Sequence, residues 1–165
     1  MQNLLILGAG QYGSVVYEIA TAMNCYETID FLDDKNPAAI GILQDYVKFT
    51  DRYSSAIVAI GNPELRLDYI EKLKCAGYEI ATLIHPKAYV SPSSNIGVGC
   101  VVEPLAGIHA NTVIGIGCLI SMGALINHNA VVEAGCHIDC GSVLAARTVV
   151  PAKTKVVANT LFSEV

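Results

Sequence analysis

The feature that most constrains the fold is a six-residue repeat in the second half of the chain. From residue 84 to residue 156, every sixth position holds Ile, Val or Leu, thirteen positions in all. The residue four places after each of these positions is Ala, Ser, Cys or Thr. The residue three places after each of them is Gly or Asn in eight of thirteen cases. Such hexads are typical of a parallel β-helix, in which three short strands form one triangular coil. The repeat predicts this helix from about residue 84 to 161, with one interior column of stacked side chains: Ile96, Ile114, Val132 and Val150.

Three of the six cysteines follow the same period. Cys100, Cys118 and Cys136 lie 18 residues apart in the small-residue register, which predicts that they stack in the core. The sequence has no Cys-x-x-Cys pair. We therefore expect all six cysteines to be free, buried thiols in a reducing compartment.

Residues 1–83 have a different pattern, in which apolar strand-like runs alternate with amphipathic helical ones. The runs "NLLIL", "YETIDFLDD", "AIVAIG" and "YEIATLI" predict four strands, and "GSVVYEIATAM" and the stretch from Pro63 to about Cys75 predict two helices, the second with Asn62 as its N-cap. This order predicts a small parallel sheet. We therefore expect two domains, an α/β domain at 1–83 and an all-β domain at 84–165.

A glycine-rich loop joins the first strand to the first helix. Gly8, Gly10 and Gly13 form a G-x-G-x-x-G motif there, where glycine lets the backbone approach a phosphate at a helix N-terminus. Asp33 and Asp34 end the next strand, where an acid commonly meets a ribose hydroxyl. The motif alone would indicate NAD, but about 80 residues provide only one of the two halves that a dinucleotide spans. The remaining alternative is a glycine turn that only packs the helix against the sheet.

Composition excludes several classes of partner. The net charge is -5 and no Lys/Arg cluster occurs, so we expect no nucleic acid to bind. The apolar run "LLIL" is too short for a signal peptide, and no run of about 18 apolar residues predicts a membrane span. These features predict a cytoplasmic location.

Among the four histidines, His128 has the most distinctive setting. It is the third residue of its hexad, beside a turn residue and within the polar sequence "INHN". Its imidazole should therefore point outward from the triangular prism that the stacked coils form, where it can accept a proton. His137 follows nine residues later, which is half a coil and therefore the opposite side of the prism. The two can share a site only between two copies of the chain, which predicts a homotrimer. We expect His85 and His109 to be surface residues.

Five segments together resemble one family. They are the glycine motif, "IDFLDD", "AIGN", "HPKAYVSPSS" and "INHNAVVEAGCHIDCGS", in this order. The chain resembles the sugar acyltransferases that include sialic acid O-acetyltransferases and UDP-4-amino-sugar N-acetyltransferases. This resemblance implies a left-handed β-helix, and transfer of an acetyl group from acetyl-CoA to an amine or hydroxyl of a nucleotide-linked sugar in bacterial surface polysaccharide biosynthesis, with no metal.

The resemblance also assigns roles to particular residues. It implies that His128 is the general base, with Asn129 beside it, and that acetyl-CoA contacts His137, Gly141 and Ala146. The implied nucleotide-sugar pocket contains the glycine-loop and strand-end residues Gly8, Gly10, Gln11, Tyr12, Gly13, Asp33, Asp34 and Asn62.

Three positions and the length of the chain after His128 depart from the family pattern. Asn129 stands where an acidic residue usually orients the catalytic imidazole, Tyr12 where His is frequent, and Ser121 where Asn is common. Only 37 residues follow His128, fewer than in related chains. A second functional class is therefore a catalytically weak, nucleotide-sugar-binding trimer. A third is a zinc site like that of the β-helix carbonic anhydrases, although the closely spaced His pair expected of those enzymes is missing.

Overall fold

The computed structural model of the chain describes residues 2–163, and the chain divides after Leu83 into two compact units. The first unit contains a four-stranded parallel sheet, in which the strands lie in the order Tyr26–Leu32, Gln2–Leu7, Ser55–Val58 and Glu79–Ile80. Its strands are β1 (Gln2–Leu7), β2 (Tyr26–Leu32), β3 (Ser55–Val58) and β4 (Glu79–Ile80). Its helices are α1 (Gln11–Met23), α2 (Pro63–Cys75) and a 3₁₀ helix (Leu43–Lys48).

Helix α2 begins as its sequence predicts, whereas α1 begins at Gln11, two residues before the predicted start at Gly13. The Asn62 side chain accepts a hydrogen bond from the backbone N–H of Leu65 at 2.9 Å and so caps α2, with Pro63 as the first helical residue. Helix α1 begins after Gly10 and buries Gly13, Val16, Ile19 and Ala20. Because these residues recur on one face, α1 packs that face against apolar neighbours.

The last predicted strand of this unit is wrong as a single element. "YEIATLI" divides into β4 (Glu79–Ile80), which pairs with β3, and Leu83–Ile84, which spans the boundary after Leu83 and is the edge strand of a β-helix sheet. Ile84 is already in the hexad register, so this short run contains the change from the strand–helix pattern of the first unit to the hexad repeat of the second.

The second unit is a parallel β-helix with three faces, which we call faces 1, 2 and 3 in chain order. Face 1 contains the strands Leu83–Ile84, Val101–Val102, Leu119–Ile120, His137–Ile138 and Lys155–Val156. Face 2 contains Tyr89–Val90, Gly107–Ile108, Leu125–Ile126, Val143–Leu144 and Leu161–Phe162. Face 3 contains Asn95–Ile96, Val113–Ile114, Val131–Val132 and Val149–Val150.

The predicted interior column on face 3 is confirmed. Ile114 pairs in register with Ile96 and with Val132, and Val132 pairs with Val150. Ile114, Val132 and Val150 are at most 2 % exposed. The branched residue of each hexad therefore fills the prism, as the repeat predicts.

The corners between faces impose one backbone conformation. The residue one place before the small residue of each hexad forms a turn register. Every residue of this register from 99 to 159 has a positive φ, including Leu105 (63°), Arg147 (66°) and Lys153 (62°). The left-handed region favours Gly and Asn and costs other residues about 1–2 kcal/mol. The coil geometry thus prevails over the preference of the individual residue at these three corners.

The prediction that the cysteines are free thiols is right for all six, and the prediction that they are buried is right for three. Cys100, Cys118 and Cys136 are free and buried, and each thiol donates to a backbone carbonyl of a neighbouring corner. Contact with Cys100, together with burial, raises the pKa of Cys118 to about 12, so this thiol stays protonated. Cys25, Cys75 and Cys140 are free but exposed, because they lie between or at the ends of elements.

Candidate active site

His128 lies at the corner where face 2 turns into face 3. The segment 127–130 joins Leu125–Ile126 to Val131–Val132, and His128 is half-buried within it. Its backbone N–H donates to Asn127 Oδ1 at 2.8 Å, and its carbonyl accepts from the N–H of Arg147 at 3.1 Å. The base predicted from the sequence is thus held both by its own corner and by the next coil.

Asn129 contacts the ring of His128 directly. Its Nδ2 lies 2.8 Å from His128 Nδ1, and its φ of 58° fits the turn register. An amide nitrogen only donates, so in this orientation Nδ1 accepts and the neutral ring carries its proton on Nε2. A half-turn of the amide would bring Oδ1 to the same place, accept from Nδ1–H and leave Nε2 free to take a proton. Asn129 therefore steadies the ring but supports both tautomers.

His109 is a neighbour of His128 that the sequence prediction missed. The two ring centroids are 6.0 Å apart, with an angle of 51° between the planes. The residues are 19 positions apart, one coil plus one residue, and that spacing could have revealed the contact. His109 is exposed, but it lies beside the candidate base and is not an isolated surface residue.

A largely apolar cavity of about 560 Å³ opens on face 2 next to this corner. Tyr89, Leu125 and Val143 line it, and His109, Asn127 and Lys87 supply polar groups. All these residues belong to the β-helix unit. The corner therefore combines an imidazole with a space large enough for a small organic ligand.

His137 lies on face 1, between Leu119 and Lys155 of the neighbouring coils. Its Nε2 is 3.0 Å from Ser121 Oγ and 3.8 Å from Asp139 Oδ1. Asp139 also accepts from Lys155 Nζ at 3.0 Å. Partial burial tends to raise the pKa of Asp139, but the N–H of Cys140 and the ammonium of Lys155 outweigh it, so the pKa is lowered and the carboxylate stays ionised.

The structure does not bring His128 and His137 together within one chain. His128 is at the corner between faces 2 and 3, and His137 is on face 1, which is the opposite side of a triangular prism. Ala146 lies one coil beyond His128 at the same corner. Gly141 lies at the corner between faces 1 and 2, with a φ of 65°, where a Cβ would meet Asn159 Oδ1 at 2.4 Å.

The three glycines of the loop have different surroundings. Gly8 has a φ of 107°, and a Cβ on Gly13 would lie 2.3 Å from the Gly8 carbonyl oxygen, so both positions require glycine. Nothing lies within 4 Å of a Cβ built on Gly10, whose φ is -76°. Gln11 and Tyr12 are the first residues of α1. Packing therefore explains two of the glycines and leaves Gly10 without a structural reason.

The acidic residues after β2 support the loops around the glycine motif. Asp33 accepts from the N–H of Ala9 at 2.8 Å and from those of Lys35 and Asn36, and these bonds lower its pKa. Asp34 accepts from the N–H of Leu43 at 2.9 Å. Both carboxylates thus have partners within the protein, a role that the sequence did not indicate.

No helix within residues 2–163 is long and apolar enough to cross a bilayer. In the same range, no three His, Cys, Asp or Glu side chains are grouped as metal ligands.

Comparison with known proteins places this architecture among enzymes that acylate sugars. Residues 3–73 match the family model of the PglD N-terminal domain. A curated UDP-N-acetylbacillosamine N-acetyltransferase of Bacillus subtilis is 31 % identical over 111 residues, which are 62 % of this chain and 51 % of that protein. The chain thus aligns with about half of the length of this relative.

Solved structures match over nearly the whole chain. The acetyltransferase domain of PglB from Neisseria gonorrhoeae, in complex with acetyl coenzyme A, is 30 % identical with a TM-score of 0.95, covering 99 % of this chain and 82 % of that one. A mutant of GDP-perosamine N-acetyltransferase from Caulobacter crescentus, in complex with CoA and GDP-perosamine, is 25 % identical with a TM-score of 0.77, covering 98 % and 91 %.

These matches define the fold class as a small α/β domain followed by a left-handed parallel β-helix. The chain belongs to the sugar acyltransferases of the hexapeptide-repeat type. The resemblance inferred from the sequence motifs is confirmed.

Proposed function

We propose that the protein transfers an acetyl group from acetyl-CoA to an amine or hydroxyl of a nucleotide-linked sugar. The observation that carries this proposal is the setting of His128, whose ring is held by Asn129 at a corner beside an open cavity. The likeness to a domain in complex with acetyl coenzyme A supports the donor, and the likeness to an enzyme in complex with GDP-perosamine supports the acceptor class.

In the proposed reaction, His128 is the general base. The acceptor nitrogen or oxygen attacks the thioester carbonyl carbon, and Nε2 of His128 takes its proton as the new bond forms. The carbon–sulfur bond then breaks, and the imidazolium returns the proton to the departing thiolate, so that the products are the acetylated sugar and CoA. No metal takes part in this scheme.

The two units have separate tasks in the proposal. The first unit binds the nucleotide with the glycine-loop and strand-end residues Gly8, Gly10, Gln11, Tyr12, Gly13, Asp33, Asp34 and Asn62. The β-helix binds acetyl-CoA with His137, Gly141 and Ala146 and carries out the transfer. A reaction of this kind serves the synthesis of bacterial surface glycans from nucleotide sugars in the cytoplasm.

The proposal includes a homotrimer, because His128 and His137 lie on opposite sides of one prism and a shared site needs two chains. Mixed trimers of His128→Ala and His137→Ala chains test this arrangement. Neither variant alone has a complete site, whereas random mixing around a threefold axis restores about a quarter of the sites. We expect activity at low acetyl-CoA to appear in co-expressed trimers and to be absent from either parent. Sedimentation as a stable monomer, or no gain on mixing, would refute the composite site.

Asn129→Asp is expected to increase kcat severalfold. A carboxylate only accepts hydrogen bonds, so it would hold the proton on Nδ1 and leave Nε2 of His128 as the base, and its charge would stabilise the imidazolium. Aspartate also tolerates the left-handed turn, so the fold should be retained. Steady-state rates and melting temperatures measure the two effects, with Asn111→Asp, at the same turn position one coil earlier, as the matched control. A fall in kcat at an unchanged melting temperature would contradict the tautomer argument.

The alternative function is a catalytically weak trimer that binds a nucleotide sugar. The observation in its favour is the Nδ2 of Asn129 against Nδ1 of His128, which stabilises the tautomer that cannot act as a base at Nε2. Incubation with acetyl-CoA and a panel of UDP-, GDP- and CMP-linked amino sugars decides between the two functions. We expect an acetylated sugar by mass spectrometry together with one released thiol. Binding of a nucleotide sugar without acetyl transfer would favour the alternative.

A further inference from the structure

Of the four imidazoles in the chain, that of His109 has no hydrogen-bonding partner within residues 2–163. His85 Nδ1 accepts from the N–H of Lys87, His128 Nδ1 contacts Asn129, and His137 Nε2 contacts Ser121. The His109 ring lies beside that of His128, with 6.0 Å between the ring centroids. Both ring nitrogens of His109 are therefore free to bind a ligand.

The position of His109 points to the ligand. Its ring centroid is 6.0 Å from that of His128, and its side chain lines the apolar cavity on face 2. Asn127 follows in the next coil, directly beside His109, and both line the cavity. A molecule that presents one group to His128 and extends into the cavity must pass these two polar side chains.

The walls of the cavity match the chemistry of a sugar. A pyranose has an apolar face, which can pack on Tyr89 and Leu125, and hydroxyl groups at its edge, which need hydrogen-bonding partners. The imidazole of His109 and the amide of Asn127 supply both donors and acceptors at the edge of the cavity.

We propose that His109 is an acceptor-binding residue: its imidazole hydrogen-bonds to the sugar hydroxyl next to the group that is acetylated, and so selects acceptors that carry this hydroxyl. This inference rests on the proposed acetyltransfer function and adds to it the residue that recognises the acceptor. His109 is not a second base, because no side chain within residues 2–163 holds its ring by a hydrogen bond as Asn129 holds that of His128.

The test separates acceptor binding from chemistry in three variants. His109→Leu removes the hydrogen bond, His109→Gln retains a donor and an acceptor, and His85→Leu removes a histidine from the same hexad position at another corner. Each variant is assayed with acetyl-CoA and, in turn, GDP-perosamine and a UDP-linked 4-amino sugar. Melting temperature and sedimentation report on folding and assembly.

We expect His109→Leu to raise the KM for the acceptor about tenfold, which is the effect of losing one hydrogen bond to an uncharged group. The KM for acetyl-CoA should stay unchanged and kcat should fall less than about threefold. His109→Gln should recover most of the acceptor affinity, and His85→Leu should match the wild type. An acceptor that lacks the adjacent hydroxyl should be used equally by the wild type and His109→Leu.

Four results would overturn the inference. An unchanged acceptor KM in His109→Leu would leave the proposed function intact and remove His109 from the acceptor site. A loss of kcat as large as that of His128→Ala would make His109 part of the proton transfer, and a stoichiometric zinc ion that is lost in His109→Leu would make it a metal ligand. If the wild-type protein acetylates neither sugar, the proposed function and this inference fail together.

Discussion

Replacement of His128 by alanine is expected to lower kcat by about 10²-fold or more, with little change in affinity for the nucleotide sugar. A positioned general base contributes about 10²- to 10⁴-fold to a proton transfer, and alanine removes the only imidazole at this corner that a neighbouring side chain orients. His128 is half-buried and its backbone makes the corner hydrogen bonds, so alanine should preserve the fold. Initial rates at saturating concentrations of both substrates give kcat, and calorimetry gives the affinity.

Two controls distinguish the loss of a base from general damage to the site. Added imidazole should partly restore the rate of His128→Ala, because a free base can enter the space left by the ring. His137→Ala should instead raise the KM for acetyl-CoA, since that histidine is assigned to the donor. If His128→Ala retains most of a confirmed acetyltransferase activity, the mechanism proposed here is wrong.

A methyl group on Gly13 is expected to lower stability, whereas one on Gly10 is expected to weaken ligand binding without changing stability. Gly13→Ala would place a Cβ 2.3 Å from the Gly8 carbonyl oxygen, so we expect a loss of about 1–3 kcal/mol of stability and a melting temperature lower by roughly 2–10 °C. Gly10→Ala meets nothing within 4 Å and should melt like the wild type. If a phosphate lies against this loop, however, the same methyl group should weaken nucleotide-sugar binding about tenfold or more.

Thermal shifts with ligand complete this comparison. A UDP- or GDP-linked sugar should stabilise the wild type, by about 2.7 kcal/mol at a concentration 100 times its Kd, and should stabilise Gly10→Ala much less at that concentration. NAD(H) should have no effect. Equal stabilisation of the wild type and Gly10→Ala by the nucleotide sugar would mean that the glycines serve packing alone, and stabilisation by NAD(H) alone would favour a dinucleotide.

The parts of the fold that repeat were predictable from the sequence, because each hexad places a branched aliphatic residue and a small residue at the same two positions. The column from Ile96 to Val150 and the stacked thiols of Cys100, Cys118 and Cys136 follow directly from the period. The cap at Asn62 was equally visible, since it depends on side chains within one turn of helix.

Features that depend on a change of pattern or on the neighbouring coil were less visible. The run "YEIATLI" has strand propensity throughout, and only its pairing partners divide it between two sheets. Leu105, Arg147 and Lys153 carry no sign of a left-handed turn, because the coil imposes that conformation on them. His109 has no distinctive local motif, and its contact with His128 arises only when one coil stacks on the next.

The roles of Asp33 and Asn129 show a further limit. An acid after a strand and an amide beside a histidine indicate polar contacts, but not their direction. Asp33 accepts hydrogen bonds from three neighbouring backbone N–H groups, and the amide nitrogen of Asn129 faces Nδ1 of His128. Such details require the positions of individual atoms, and for Asn129 they decide which tautomer is favoured.

The stacking of the coils has a consequence for motion at the proposed active site. In a linear array each coil is stabilised only by its two neighbours, so opening should be easiest at the ends and hardest in the middle. His128 lies in a central coil, with paired strands on both sides of its corner. Amide hydrogen exchange along the prism should therefore show a gradient, fastest near the last strand, Leu161–Phe162, and slowest around Ile126 and Val132. The corner that carries His128, the proposed base, would keep its shape while terminal coils fray, and a side chain fixed in this way needs no closing loop to orient it.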